Sequence, residues 1–247
     1  MSRIVLEICV ESLNDLECAI AGGADRVELC GALALGGLTP SAGLARLAMD
    51  RVRAGGRTLR AMVRPRDGDF AYDEATLATA VAEGAALIDL GVDGLVFGAA
   101  RNGRLETDVL RLWVGAMRER RPDIGLTLHR AIDLVDDPVA AVDLAVDLGF
   151  DRILSSGGAV KASDALPVLA AMQARAAGRI IIMPGSGIRA GNVRAVIAAV
   201  GAREVHASAS AEAGAADRRA LDMGFALGVM RRTSLAEVKA LREALDA

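Results

Sequence analysis

Two glutamates and two cysteines hold the densest chemistry in this chain. Leu6-Glu7-Ile8-Cys9 returns 21 positions later as Val27-Glu28-Leu29-Cys30. Each stretch is short, apolar and flanked by β-branched residues, which suits a strand, and a strand sends residues i and i+2 to one face. Glu7 therefore shares a face with Cys9, and Glu28 with Cys30. If the strands are parallel neighbours, two carboxylates and two thiols converge. Carboxylates are rarely buried without a partner, so the pattern fits the lining of a site. Thiolates favour Cu(I) and Zn(II) over hard cations, and Cu(I) accepts two sulfur ligands. Free cysteine is equally a common core residue, so spacing alone leaves metal ligation by Cys9 and Cys30 open.

Both histidines of the chain, His129 and His206, fall at the ends of expected strands, as does Arg64. Glu7, Glu28, His129 and His206 are the candidate general acids and bases, since burial raises a carboxyl pKa and imidazole titrates near neutrality. Arg64 is the candidate anchor for an anionic group or for one of those carboxylates. In His129-Arg130-Ala131-Ile132-Asp133, the aspartate either orients the histidine or pairs with Arg130. Later loops carry small donors: Ser156 and Gly157, then Gly185, Ser186 and Gly187, then Ser208. Backbone amides in such turns can cradle an anion, and barrels often hold phosphate after their last two strands. Cys18 reads as helix packing. Lys161 and Lys239 are the only lysines, and neither falls on a strand, which disfavours Schiff-base chemistry.

These residues need elements to position them. Ser12 opens a capping box, apolar residues follow at helical spacing, and Gly22-Gly23 closes the segment. A strand, helix and strand within thirty residues make a βαβ unit. The alternation continues, with strands expected at 58–64, 94–97, 124–129, 151–154, 179–183 and 204–207. Helices are expected at 41–54, 73–90, 107–120, 137–148, 162–176 and 192–200, with Ser234 capping the last. The glycine-rich connection 31–40 is unusually long, which marks functional loops. Eight strands, each followed by helix, define an α/β fold: a (β/α)8 TIM-like barrel in one domain over 1–247. A doubly wound sheet is the competitor, but it would gather polar residues at one switch point and carry a Gly-x-Gly-x-x-Gly turn. Here they are spread over strand ends all round the chain.

The length of 247 residues matches the roughly 250 typical of such barrels. Hydrophobic residues make up 53% of the chain, yet no apolar run approaches the ~18 residues of a membrane span. Net charge is -3 without a long basic run, which argues against nucleic acid as a partner. Three cysteines and a start that leads straight into a strand suggest reduced thiols in the cytoplasm.

The motifs together resemble the CutC copper homeostasis family. The matching stretches are Leu6-Glu7-Ile8-Cys9-Val10, Gly22-Gly23-Ala24-Asp25-Arg26-Val27-Glu28-Leu29-Cys30, Gly36-Gly37-Leu38-Thr39-Pro40-Ser41, Val63-Arg64-Pro65-Arg66, His129-Arg130-Ala131-Ile132-Asp133, Pro184-Gly185-Ser186-Gly187-Ile188 and Val205-His206-Ala207-Ser208. The resemblance implies a TIM-like barrel, a cytoplasmic location, homo-oligomers, and copper(I) held by Cys9 and Cys30. Leu128 and Ile132 stand where aromatic residues are expected, and Ser210 where a basic one is. Two readings follow. One is a copper-binding protein with Glu7, Glu28 and Arg64 around the thiolates. The other is an enzyme of unassigned acid/base or lyase-type reaction on a small anionic substrate at the same barrel mouth.

Overall fold

Ser12 starts the first helix as its residue type demands: its side chain accepts the Asp15 amide, and α1 (Leu13–Ala21) links β1 (Val5–Val10) to β2 (Arg26–Leu29). The computed structural model describes residues 3–226 and 228–247. The chain continues through α2 (Ala42–Ala54), β3 (Thr58–Met62), α3 (Glu74–Asp89) and β4 (Gly94–Phe97). A small hairpin follows, β5 (Ala100–Arg101) with β6 (Arg104–Leu105), then α4 (Thr107–Arg120), β7 (Gly125–Leu128) and α5 (Ala141–Asp147). The last part comprises β8 (Arg152–Ser155), α6 (Leu166–Ala176), β9 (Ile181–Pro184), α7 (Val193–Val200) and β10 (Glu204–Ala207). A second hairpin, β11 (Ser210–Ala215) and β12 (Val229–Thr233), encloses α8 (Arg218–Asp222) and precedes α9 (Leu235–Asp246).

Eight strands form one parallel sheet in the order β10-β1-β2-β3-β4-β7-β8-β9. β9 and β10 lie against one another without a hydrogen-bonded ladder, so the sheet closes into a nearly complete barrel. Among the described residues no helix is long and apolar enough to cross a membrane. The core between strands and helices is aliphatic, with one aromatic stack. Trp113 lies on Phe97 at 4.3 Å between ring centroids, and its indole nitrogen donates to the Ala80 carbonyl. That bond satisfies the one polar atom that burying tryptophan would otherwise strand.

The interior of the barrel is charged at its base. Arg26 pairs with Glu7 and Glu204, and Arg152 pairs with Glu204. Arg60 crosses the same space, which requires glycine opposite: a Cβ at Gly94 would come within 2.3 Å of its guanidinium and within 2.6 Å of the Gly125 carbonyl. Burial, then repulsion from Arg152 and Arg26, pulls Arg60 down to about 10.

Three departures from the sequence expectation have local causes. The third strand ends at Met62 because Arg64 turns away to clasp two loops. Asp137 caps as expected, accepting the Val139 and Ala140 amides, but only a turn follows and the α-helix begins at Ala141. The segment after Lys161 breaks at Ala165, since Pro167 sits in the first turn of α6, where its missing N–H costs nothing. Neither hairpin was expected. Most residues of the second are exposed, so no apolar alternation marks it.

Candidate functional site at the barrel mouth

The site begins with how the first two strands are staggered. The repeated motif suggests Glu7 beside Glu28, but the parallel register sets Cys9 opposite Glu28 and Glu7 opposite Arg26. Neighbouring strands of a closed barrel must be offset to close it, and the offset moves the two motifs apart by one inward step. Glu7 consequently lies beneath the mouth cavity, 1% exposed, and does not line it. Burial by itself would raise its pKa; Arg26 and His206 outweigh that and hold the carboxyl well below the usual range.

His206 stands over Glu7. Its Nδ1 lies 2.8 Å from Glu7 Oε1, and its Nε2 is 3.6 Å from Glu28 Oε2. An ionised Glu7 can only accept, so Nδ1 carries a proton. Burial opposes charge on this imidazole, yet Cys9, Glu28 and Glu7 around it raise its pKa well above the ordinary value. Cys9, Glu28 and His206 each offer one donor atom within 4.8 Å of the others. A tetrahedral metal with bonds of about 2.0 to 2.3 Å holds its ligands roughly 3.5 Å apart, so small side-chain shifts would close this set on an ion.

Sulfur lines the same floor. Cys9, Cys30 and Met62 pack with Val96 in a buried cluster separate from the main core. The three cysteines are free thiols. Burial, with the Glu28 carboxylate beside it, pushes the Cys30 thiol well above its usual value. Burial likewise pushes Glu28 up to about 7, against the pull of His206. Met62 escaped the sequence reading because methionine on a strand resembles core; its i+2 spacing from Arg60 and to Arg64 was the available signal.

Across the mouth, Arg64 and His129 flank Phe70. The Arg64 guanidinium sits 4.9 Å from the Phe70 ring centre, and the His129 ring 4.7 Å from it. Arg64 donates to the carbonyls of Leu35, Gly37 and Gly68, so its outer nitrogens tie down the 31–40 loop and the 65–69 turn. His129 Nδ1 accepts the Ala131 amide at 3.1 Å, which places the proton of the neutral ring on Nε2. Burial, then the Arg64 charge, lowers its pKa to about 3.

The loop after β8 holds an anion of its own. Asp133 accepts from the Ser155 hydroxyl at 2.6 Å, from the Ser156 amide and hydroxyl, and from the Gly158 amide, while pairing with Arg130 at 2.8 Å. The Gly157 amide goes to the Ser155 hydroxyl and that of Gly185 to the Ser155 carbonyl. Ser156, Gly157 and Gly185 thus do not form the open anion cradle expected from their spacing, because chain acceptors already fill it. Ser186, Gly187 and Ser208 do line the cavity, although the Ser186 hydroxyl donates to Val160.

All these walls enclose a cavity of about 730 Å3. Phe225, Val229, Arg231 and Arg232 of the C-terminal hairpin segment complete its rim. Arg232 pairs with Glu11, and Arg231 donates to the Ser210 hydroxyl and carbonyl.

A nearly closed ring of parallel strands with polar chemistry at their C-terminal ends makes this chain a TIM-like barrel, with its candidate site at the face where that fold commonly carries activity. The chain belongs to the CutC family, whose model matches residues 4–211. A family protein CutC of Sinorhizobium medicae is 47% identical over 100% of this chain and 98% of its own length. One from Caulobacter vibrioides is 44% identical over 99% and 98%. Among solved structures, a CutC from Streptococcus agalactiae that carries the name copper homeostasis protein matches with a TM-score of 0.78 at 30% identity, over 83% of this chain and 98% of that one. A thiamine phosphate pyrophosphorylase from Pyrococcus furiosus shares the fold alone, with a TM-score of 0.59 at 15% identity over 98% of this chain and 96% of that one.

Proposed function

We propose that this chain serves copper homeostasis by holding Cu(I) on the thiolates of Cys9 and Cys30, with Met62 and His206 Nε2 within the same floor. The observation that carries this reading is the gathering of two thiols and a thioether in one buried cluster on the cavity floor. Soft sulfur donors select Cu(I) over hard divalent cations. His206 adds a second support: a metal-binding imidazole commonly gives its far N–H to a carboxylate, and Glu7 stands in that position. Binding would release protons, since the Cys30 thiol must ionise and Nε2 must be bare. A cytoplasmic site of action belongs to the same reading, because free thiols persist there.

The test is an anaerobic Cu(I) titration against a competing chelator. Wild type is expected to take up one equivalent tightly, and Cys9→Ser or Cys30→Ser to lose at least a hundredfold in affinity. Equal, weak binding by all three proteins would overturn it. A second reading, acid/base catalysis by Glu28 and His206, is favoured by Glu28 titrating at about 7 inside a cavity far larger than an ion.

A further inference from the structure

The barrel interior carries more positive than negative charge. Arg26, Arg60 and Arg152 stand over Glu7 and Glu204, and the cavity lining adds five arginines, Arg64 among them, against the three carboxylates of Glu11, Asp15 and Glu28. Arg26 and Arg152 have their carboxylates. Arg64 is 5% exposed, and among the described residues no carboxylate pairs with it; its hydrogen bonds go to carbonyl oxygens and its guanidinium lies over the Phe70 ring. Its Nε has no acceptor, and neither does Nε2 of His129, which is 3% exposed on the same wall. A buried charge without a counter-ion is costly, and each orphaned donor adds to that cost.

We infer that the cavity is the binding site of a small organic oxyanion, a carboxylate or phosphate ester, drawn to Arg64 and His129 at its base and to Arg231 at its rim. The volume falls within the range of small-molecule sites. The lining supplies an apolar seat for a carbon frame through Leu33, Phe70, Leu154 and Ile188. Arg231, like Arg64, has no carboxylate partner among the described residues, and its donors rest on Ser210. It lies on β12, beyond the last barrel strand, so the hairpin adds a cation to the mouth from outside the ring of strands.

Both histidines of the chain line this cavity and serve as its reporters. In metal-free protein at fixed ionic strength, their ring-proton resonances are followed by NMR while citrate or glycerol 3-phosphate is added, with sodium chloride as the control. At least one of the two anions is expected to shift both resonances in a saturable way that chloride does not reproduce. Arg231→Ala should weaken that binding at least tenfold. Because Arg64 also anchors two loops, Arg231→Ala carries the comparison, and Arg64→Lys is expected to weaken binding as well. The stronger probe tells carboxylate from phosphate. No saturable shift with either probe, or an unchanged affinity in Arg231→Ala, would overturn the inference. The anion titration uses metal-free protein and the copper titration uses no added anion, so failure of the copper reading and failure of this one remain distinct.

Discussion

His206 presents Nδ1 to Glu7 at 2.8 Å and turns Nε2 toward Glu28 and Cys9. One buried carboxylate therefore fixes which imidazole nitrogen faces the cavity, and Arg26 fixes the carboxylate in turn. Glu7→Gln keeps the shape and removes the charge. Copper affinity is expected to fall by about ten- to a hundredfold, as for other carboxylates behind a metal-binding histidine. Glu204→Gln is the matched control, because it weakens the hold on Arg26 without touching His206. Both variants should lose stability, on the order of 3 kcal/mol, by leaving a buried guanidinium short of charge. If the two lose copper affinity equally, the effect is general loosening and the role given to Glu7 is wrong.

His129 makes the fold acid-sensitive. Its folded pKa of about 3 lies below the ordinary 6.5, through burial and then the Arg64 charge. Between those values the unfolded chain binds the extra proton, so stability falls as pH drops from about 6.5 toward 3. From neutral pH to about pH 4.5 the loss attributable to this one ring should be about 2 to 3 kcal/mol. His129→Asn offers an amide oxygen to the Ala131 N–H and cannot titrate. Urea unfolding at the two pH values should show that extra slope in wild type and not in the variant; parallel slopes would rule out the assignment.

The barrel was legible because its signals are periodic: caps, apolar helix faces and short β-branched runs recur around the ring, while the two hairpins outside it gave none. The mouth was legible in composition, since Cys9, Glu28, Cys30, Arg64, His129 and His206 all line the cavity. What sequence could not place was depth. Glu7 shares its motif with Glu28, yet strand stagger puts it beneath the floor beside Arg26. Ser156 differs from Ser186 and Ser208, which do line the cavity, for a related reason: whether an amide cradle is open depends on a distant residue, and Asp133 reaches this one from 23 positions away in sequence.

That intramolecular anion can be removed. Asp133→Ala strips the acceptor from the Ser155 and Ser156 hydroxyls and from the Ser156 and Gly158 amides, and leaves Arg130 without its carboxylate. Losing these charge-assisted bonds should cost about 2 to 4 kcal/mol. The emptied cradle then has two amides, two hydroxyls and a guanidinium pointing at one place, which is an anion-binding concavity. Inorganic phosphate should therefore restore part of the lost stability, about 1.4 kcal/mol once its concentration reaches ten times the dissociation constant. Thermal unfolding with phosphate against ionic-strength-matched chloride measures this directly. The gain in Asp133→Ala should exceed any gain that wild type draws from the cavity, because in wild type Asp133 holds the cradle; an equal gain in both proteins would show that phosphate acts elsewhere and that the cradle is not the one described.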